Sequence, residues 1–192
     1  MEPSGSWTRV PGAVMSLTLL QNSDYPRDGA IVDIGAGASV FVDGLLDAGF
    51  TDITLVDHSP VGLQIARQRL SARSRDVTWI VEDLRRWRPE RTFAVWHDRA
   101  VAHFLLEDQD RDRYRETLLA ATDTGSLAIL CVFGPDGPDM CAGLPARRHD
   151  VDDVAELLGA SFTILSARIL DHIRPDGDSQ QYLWVRALRD LS

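Results

Sequence analysis

Between residues 30 and 57 the chain passes from an apolar run to a glycine turn, a helical segment, a second apolar run and an acid, and few folds accept that order. Ala30-Ile31-Val32-Asp33-Ile34 is too short for a helix and rich in β-branched residues, so it reads as a buried strand. Gly35-Ala36-Gly37-Ala38-Ser39 follows, with two glycines that permit a sharp bend and a close backbone approach to a ligand. Residues 40–48 carry a helical pattern with Val40, Phe41, Leu45 and Ala48 on one face, and Gly49 ends it as a C-cap. Ile53-Thr54-Leu55-Val56 is the next strand, and Asp57 stands at its carboxyl end. The segment is a βαβ unit with a nucleotide-type site at its mouth.

The spacing of the charges narrows the ligand. An acid roughly 20 residues beyond a glycine turn reaches both hydroxyls of a ribose. A dinucleotide fingerprint wants a third glycine or alanine where this chain has Val40. Asp33 opposes a diphosphate and suits a ligand end that carries positive charge, such as an ammonium or sulfonium group. Asp33-Ile34-Gly35-Ala36-Gly37 together with Asp57 resembles the first two motifs of class I S-adenosylmethionine-dependent methyltransferases, and the resemblance extends over about residues 30–187.

That resemblance implies an α/β fold: a doubly wound, seven-stranded Rossmann-like sheet, mostly parallel, finished by a C-terminal antiparallel hairpin. It implies S-adenosylmethionine as cofactor and S-adenosylhomocysteine as product. Asp33, Gly35, Ala36 and Gly37 would hold the amino-acid end of the cofactor, and Asp57, with His58 beside it, the ribose.

Composition bounds the partners. A chain of 192 residues, 44% of them hydrophobic, is expected to form one domain with a full core: residues 1–25 as a short cap segment and 30–188 as the core. A net charge of −9 argues against nucleic acid and anionic membrane as partners. All 20 basic residues are arginine, so enzyme classes that need a catalytic lysine are excluded. Cys131 and Cys141 form neither a metal-like spacing nor a disulfide framework. No signal peptide or membrane-length apolar run is visible, and a cytoplasmic protein without a metal is expected.

The remaining elements follow in order. Residues 11–21 form a short helix over the cofactor side, and Pro26-Arg27-Asp28-Gly29 is a turn. Trp7 is either an aromatic wall or an incidental terminal aromatic. Ser59 caps a helix that has Pro60 at its first position. Residues 76–81 are the third strand, ending at Glu82-Asp83-Leu84, which resembles the family's third motif. Asp83 would then bind the adenine amino group, and Leu84 would supply backbone and an apolar contact. Residues 93–96 are the fourth strand, 108–121 an amphipathic helix, and 127–133 a strand buried on both faces. Residues 134–145 form a Gly/Pro-rich loop across the substrate mouth, 150–158 a helix, and 162–170 with 180–188 a hairpin.

The segment from His97 to Leu105 is dense in groups that bind or titrate. His103 is the first candidate for acceptor contact or general base, because an imidazole titrates near neutrality; its other reading is a structural core group. Asp98 holds a substrate nitrogen, orients His103, or caps the turn that follows. His97 is placed at the cofactor's methionine end, and Arg99 pairs with Asp98 or Glu107. Trp96-His97-Asp98-Arg99-Ala100-Val101 resembles a bacterial subgroup of small methyltransferases, more distantly similar to protein-lysine methyltransferases. Phe133, Tyr182 and Trp184 read as core or as a cage for a cation.

The reading that joins these observations is methyl transfer to a small-molecule acceptor by in-line displacement. The rival readings are a protein-lysine methyltransferase acting on a peptide lysine, a non-catalytic cofactor-binding protein, and a nicotinamide-dependent oxidoreductase. The last fits Asp57 but not Asp33, and its short-chain type needs a lysine that this chain lacks.

Overall fold

The computed structural model describes residues 11–23, 25–173 and 179–190. Trp7 and the turn at residues 174–178 lie outside them. The chain alternates helix and strand in the order α1 Pro11–Gln21, β1 Ile31–Ile34, α2 Phe41–Asp47, β2 Ile53–Asp57, α3 Pro60–Leu70, β3 Val77–Val81 and β4 Val95–Arg99. It continues with α4 Asp108–Ala120, β5 Leu127–Phe133, β6 Met140–Cys141, β7 Leu144–Pro145, α5 Val151–Leu158, β8 Phe162–Ile173 and β9 Ser179–Arg189.

Seven strands form one sheet in the order β3-β2-β1-β4-β5-β9-β8. The first five are parallel, and β9 runs antiparallel to both β5 and β8. This is the expected doubly wound sheet with its closing hairpin. The order reverses between β1 and β4, and the crevice above their carboxyl ends is where such sheets bind ligands.

Each strand residue faces the side opposite to its neighbour's, which divides the core in two. Ile31, Leu55, Val95 and Ile129 pack with Leu17 and Leu20 of α1, Phe41 and Leu45 of α2, and Leu63 of α3. Val32, Ile34, Trp96 and Leu130 pack with Tyr114 and Leu118 of α4 and with Val154 and Leu158 of α5. β5 is buried along its whole length, as an apolar strand covered on both faces must be.

Several local expectations hold. The Ser59 hydroxyl accepts from the Gly62 N–H at 3.1 Å with Pro60 at the first helical position. The helix expected over residues 150–158 is present as α5, and the structure adds a reciprocal capping box of Asp150 and Asp153 at its start. Phe133 and Trp184 are buried, and Tyr182 packs on Phe133 at 5.2 Å between ring centroids; these aromatics are core rather than a cage.

One boundary differs, and it decides the site. The fourth strand starts at Val95, not Phe93, and continues through His97, Asp98 and Arg99, in register with Asp33, Ile34 and, on the other side, Cys131. The three polar residues therefore alternate: His97 and Arg99 face α1, while Asp98 faces α4.

Candidate active site

At the mouth of β1 and β2, the glycine turn is held by the acid expected to bind ribose. Gly35 and Gly37 have φ of +63° and +46°, a region that favours glycine. The Gly35 and Ala36 N–H groups donate to the Val56 carbonyl at 2.8 and 3.3 Å, fastening the turn to β2. The Gly37 N–H donates to Asp57 Oδ2 at 2.8 Å, and the Ser59 N–H to Asp57 Oδ1 at 2.6 Å. Each oxygen of Asp57 retains a second lone pair for a ribose hydroxyl. Gly62 lets α3 begin close to the turn: a Cβ there would lie 3.0 Å from the Gly37 Cα.

At the end of β1, Asp33 is 2% exposed. Its Oδ1 is 2.6 Å from His97 Nδ1, and the other ring nitrogen of His97 lies 2.8 Å from the Ser16 hydroxyl of α1. The His97 ring also packs on Phe41, 4.2 Å between centroids. Both nitrogens of His97 are thus engaged, and the ring holds Asp33 in place from the α1 side. Asp33 Oδ2 is buried without a partner among the described residues.

On the α4 side, Asp98 is fully buried. Its Oδ1 accepts the Val101 and Ala102 N–H groups at 3.0 and 3.4 Å, and its Oδ2 accepts the Tyr114 hydroxyl at 2.9 Å. The Tyr114 oxygen in turn accepts the Trp96 indole N–H at 3.0 Å. Burial pushes the Asp98 carboxyl up to about 6 against the pull of these bonds. Asp98 Oδ1 thus ties down the backbone that leads into the tight turn at Ala102–Phe104, while its Oδ2 is held by Tyr114.

His103 lies within that turn and is fully buried. Its ring stacks on Phe133, 4.4 Å between centroids, and meets Phe104 edge-on at 4.6 Å. Residues 146–149 strap it down: the Arg147 N–H donates to the His103 carbonyl and the His149 N–H to the Phe133 carbonyl, at 2.7 and 2.9 Å. Neither ring nitrogen of His103 has a partner among the described residues, and burial, with His149 nearby, lowers its pKa to about 4. In this packing the His103 ring is covered by the strap.

The adenine-side candidates and the ribose-side His58 are spread out. Asp83 is gripped by Arg85, which contacts both carboxylate oxygens at 2.6–3.1 Å and holds its carboxyl at about 2. Leu84 points into the core beside Trp87, leaving only its backbone for a ligand. His58 is 82% exposed on its side chain, with Nδ1 3.6 Å from Asp57 Oδ1.

Sequence reasoning missed three participants. Ser16 and Tyr114 come from helices remote in sequence and carry no motif. Arg99 was expected to pair with Asp98 or Glu107, but strand alternation turns it the other way, and it bonds with neither. The long loop after β5 carries the small β6–β7 hairpin.

The pattern of a glycine turn tied to a ribose-type acid, beside a buried carboxylate with a free oxygen, coincides with the family comparison: residues 31–125 match the model of a methyltransferase domain. The chain carries a methyltransferase domain.

The fold of this methyltransferase is shared with several solved structures. The N-methyltransferase NodS from Bradyrhizobium japonicum superposes with a TM-score of 0.75 at 15% identity, covering 98% of this chain and 99% of that one. A SAM-dependent methyltransferase from Methanosarcina mazei gives 0.75 at 15% identity, covering 91% and 98%. The 1,6-didemethyltoxoflavin-N1-methyltransferase from Burkholderia thailandensis, solved with 1,6-didemethyltoxoflavin and S-adenosylhomocysteine, gives 0.72 at 22% identity, covering 98% and 80%. Among curated proteins, none matches the sequence. No described helix of the methyltransferase is long and apolar enough to cross a membrane.

Proposed function

We propose that this methyltransferase transfers the methyl group of S-adenosylmethionine to a small-molecule acceptor by in-line displacement, and that residues 30–188 act as its single core domain. One observation carries the reading: Asp57 is already bonded to the glycine turn while buried Asp33 keeps one oxygen without a donor among the described residues. A buried carboxylate oxygen without a partner costs about 1–3 kcal/mol, which a cationic ligand group recovers. The donor set therefore fits an adenosyl ligand with an ammonium at its far end, and opposes a pyrophosphate.

When bound, the cofactor supplies a methyl group activated by sulfonium. The chain supplies alignment. Asp57 accepts from the ribose hydroxyls, and Asp33 Oδ2 accepts from the α-ammonium. Gly35, Ala36 and Gly37 let the backbone pass close to the ligand, and His97 keeps Asp33 from rotating. Asp83 and the Leu84 backbone border the adenine. Asp98 acts at one remove, holding residues 99–102 where they border the transferring methyl group.

An amine that arrives with its lone pair free needs no side chain to remove a proton first. Positioning and exclusion of water then do most of the work, in keeping with a neutral, buried His103. Two of the structures named above are N-methyltransferases, which supports a small nitrogenous acceptor. The net charge of −9 favours neutral or cationic acceptors over nucleic acid.

The test is turnover with a methyl-labelled donor against a panel of small heterocyclic and aliphatic amines, with a lysine peptide and an oligonucleotide as controls. Label in a small amine and in neither control is the expected result. Label confined to the peptide, or none in any acceptor, contradicts it.

A further inference from the structure

His149 is 2% exposed, and neither of its ring nitrogens has a partner among the described residues. It ends the strap at residues 146–149 and lines a cleft of about 290 Å³ between that strap, α4 and α5. The cleft lies on the α4 side of the sheet, whereas strand alternation turns Asp33 and Asp57 toward the α1 side. It shares no residue with the crevice above β1 and β2.

Three guanidiniums line the same cleft, and backbone carbonyls fix two of them. Arg111 Nη1 donates to the Leu105 and Leu106 carbonyls at 2.9 and 2.6 Å. Arg115 donates to the Leu157 carbonyl through Nε at 3.1 Å and to the Glu156 carbonyl through Nη2 at 2.7 Å. Arg147, in the strap, donates through Nη2 to Asp153 of α5 at 2.8 Å.

The carboxylates around them are unequally held. Asp153 is fixed by its capping box. Asp108 and Asp112 pair with Arg111 and Arg115 from three residues away on the same helix, and their side chains are 93% and 66% exposed. Exposed pairs of this kind contribute little and open readily into solvent. Glu156 is exposed as well. The cations are thus anchored at the backbone, while the counter-charges at the rim are loose. Among the described residues no three ligating side chains converge to hold a metal ion, so the carboxylates do not form a cation site. Burial lowers the His149 pKa, and Arg147 and Arg111 lower it further against the pull of Asp153. The imidazole is therefore neutral and offers one N–H, a buried donor that is costly to leave unsatisfied.

We infer that this cleft is a second ligand site, for a small oxyanion such as a phosphate group, held by the His149 N–H with the Arg111 and Arg147 guanidiniums while the Asp108 carboxylate turns out to solvent. The acidic rim repels extended polyanions, so one compact anionic group is accepted and a nucleic acid is not. An anion bound there ties the strap to α4 and α5. The assignment is independent of the function proposed above.

Imidazole nitrogen resonances of the full chain, followed during titration with inorganic phosphate at constant ionic strength, test it. A saturable shift at His149 is expected, with none at His58, whose side chain is 82% exposed. Arg147→Gln and Arg111→Gln each weaken phosphate binding roughly 10- to 100-fold, the range for a charge-assisted hydrogen bond, while the His97 resonances stay where they are in wild type. Arg147→Gln leaves the carbonyl contacts of Arg111 intact, so a folding defect in the Arg111 variant does not decide the outcome. Phenyl phosphate separates two sources of the same chemistry: an equal shift assigns the site to an oxyanion carried on a larger molecule, and a shift with inorganic phosphate alone assigns it to the free ion. The assignment is overturned if His149 does not shift in wild type. It is equally overturned if His58 shifts in parallel with His149, which is what screening alone does, or if the folded arginine variants bind phosphate as wild type does.

Discussion

Gly37 donates its backbone N–H to the Asp57 carboxylate across 20 residues of chain, at 2.8 Å. One side chain thus fixes the shape of the glycine turn and presents the acid proposed to meet the ribose. Removing it damages both jobs at once. Asp57→Ala is expected to weaken S-adenosylhomocysteine binding by about 1–3 kcal/mol, read by calorimetry. Unchanged affinity would remove Asp57 from the site.

Gly35 tolerates no side chain. A Cβ there would lie 2.0 Å from the Val101 Cγ2, and its φ of +63° strains any other residue. Gly35→Ala is expected to lower stability by about 1–3 kcal/mol and to lower cofactor affinity. Adding Val101→Ala relieves the clash but not the backbone strain, so thermal unfolding should show partial recovery of Tm. Full recovery would mean that the backbone conformation carries no cost.

Tyr114 is the hinge of a buried chain of donors, accepting from Trp96 and donating to Asp98. Tyr114→Phe leaves the indole N–H and one carboxylate oxygen unpaired. A loss of about 1–3 kcal/mol in urea unfolding is expected, together with a looser turn at residues 101–104. A loss no larger than that of a surface substitution would show that the network is not closed.

Asp98 and His103 affect acid stability in opposite directions. Folded His103 titrates at about 4 and the unfolded chain near 6.5, so its stabilising contribution is present above pH 6.5 and lost as the pH falls through 4. Folded Asp98 titrates at about 6 against 3.8 unfolded, so its contribution is present below pH 3.8 and lost as the pH rises through 6. Each is on the order of 3 kcal/mol, and over much of the same window they offset. Asp98→Asn should therefore steepen the loss of stability from pH 6.5 to 4, and His103→Phe should flatten or reverse it. A urea-unfolding series over pH settles the point; wild-type slopes in both variants would contradict it.

Much of the fold was legible because β1, β2 and β5 announce themselves as short apolar runs bounded by turn residues. The Asp33, Gly35, Gly37, Asp57 grouping was legible for the same reason: its spacing is local. β4 was read too early because its carboxyl half is His97-Asp98-Arg99, polar residues held in the ladder by β1 and β5 rather than by their own propensity. That error hid the alternation that sends Asp98 toward Tyr114 and Arg99 toward the glycine turn. The burial of His103 was hidden for a different reason. Its cover comes from residues 146–149, more than 40 positions downstream, and no local pattern encodes such a contact.

The central claim is that the chain selects an adenosyl ligand with a cationic far end. Titrating the protein with S-adenosylmethionine, S-adenosylhomocysteine and the dinucleotide NAD measures it directly. Saturable binding of the first two with no heat from the third is the predicted result. Binding of NAD alone would contradict the account.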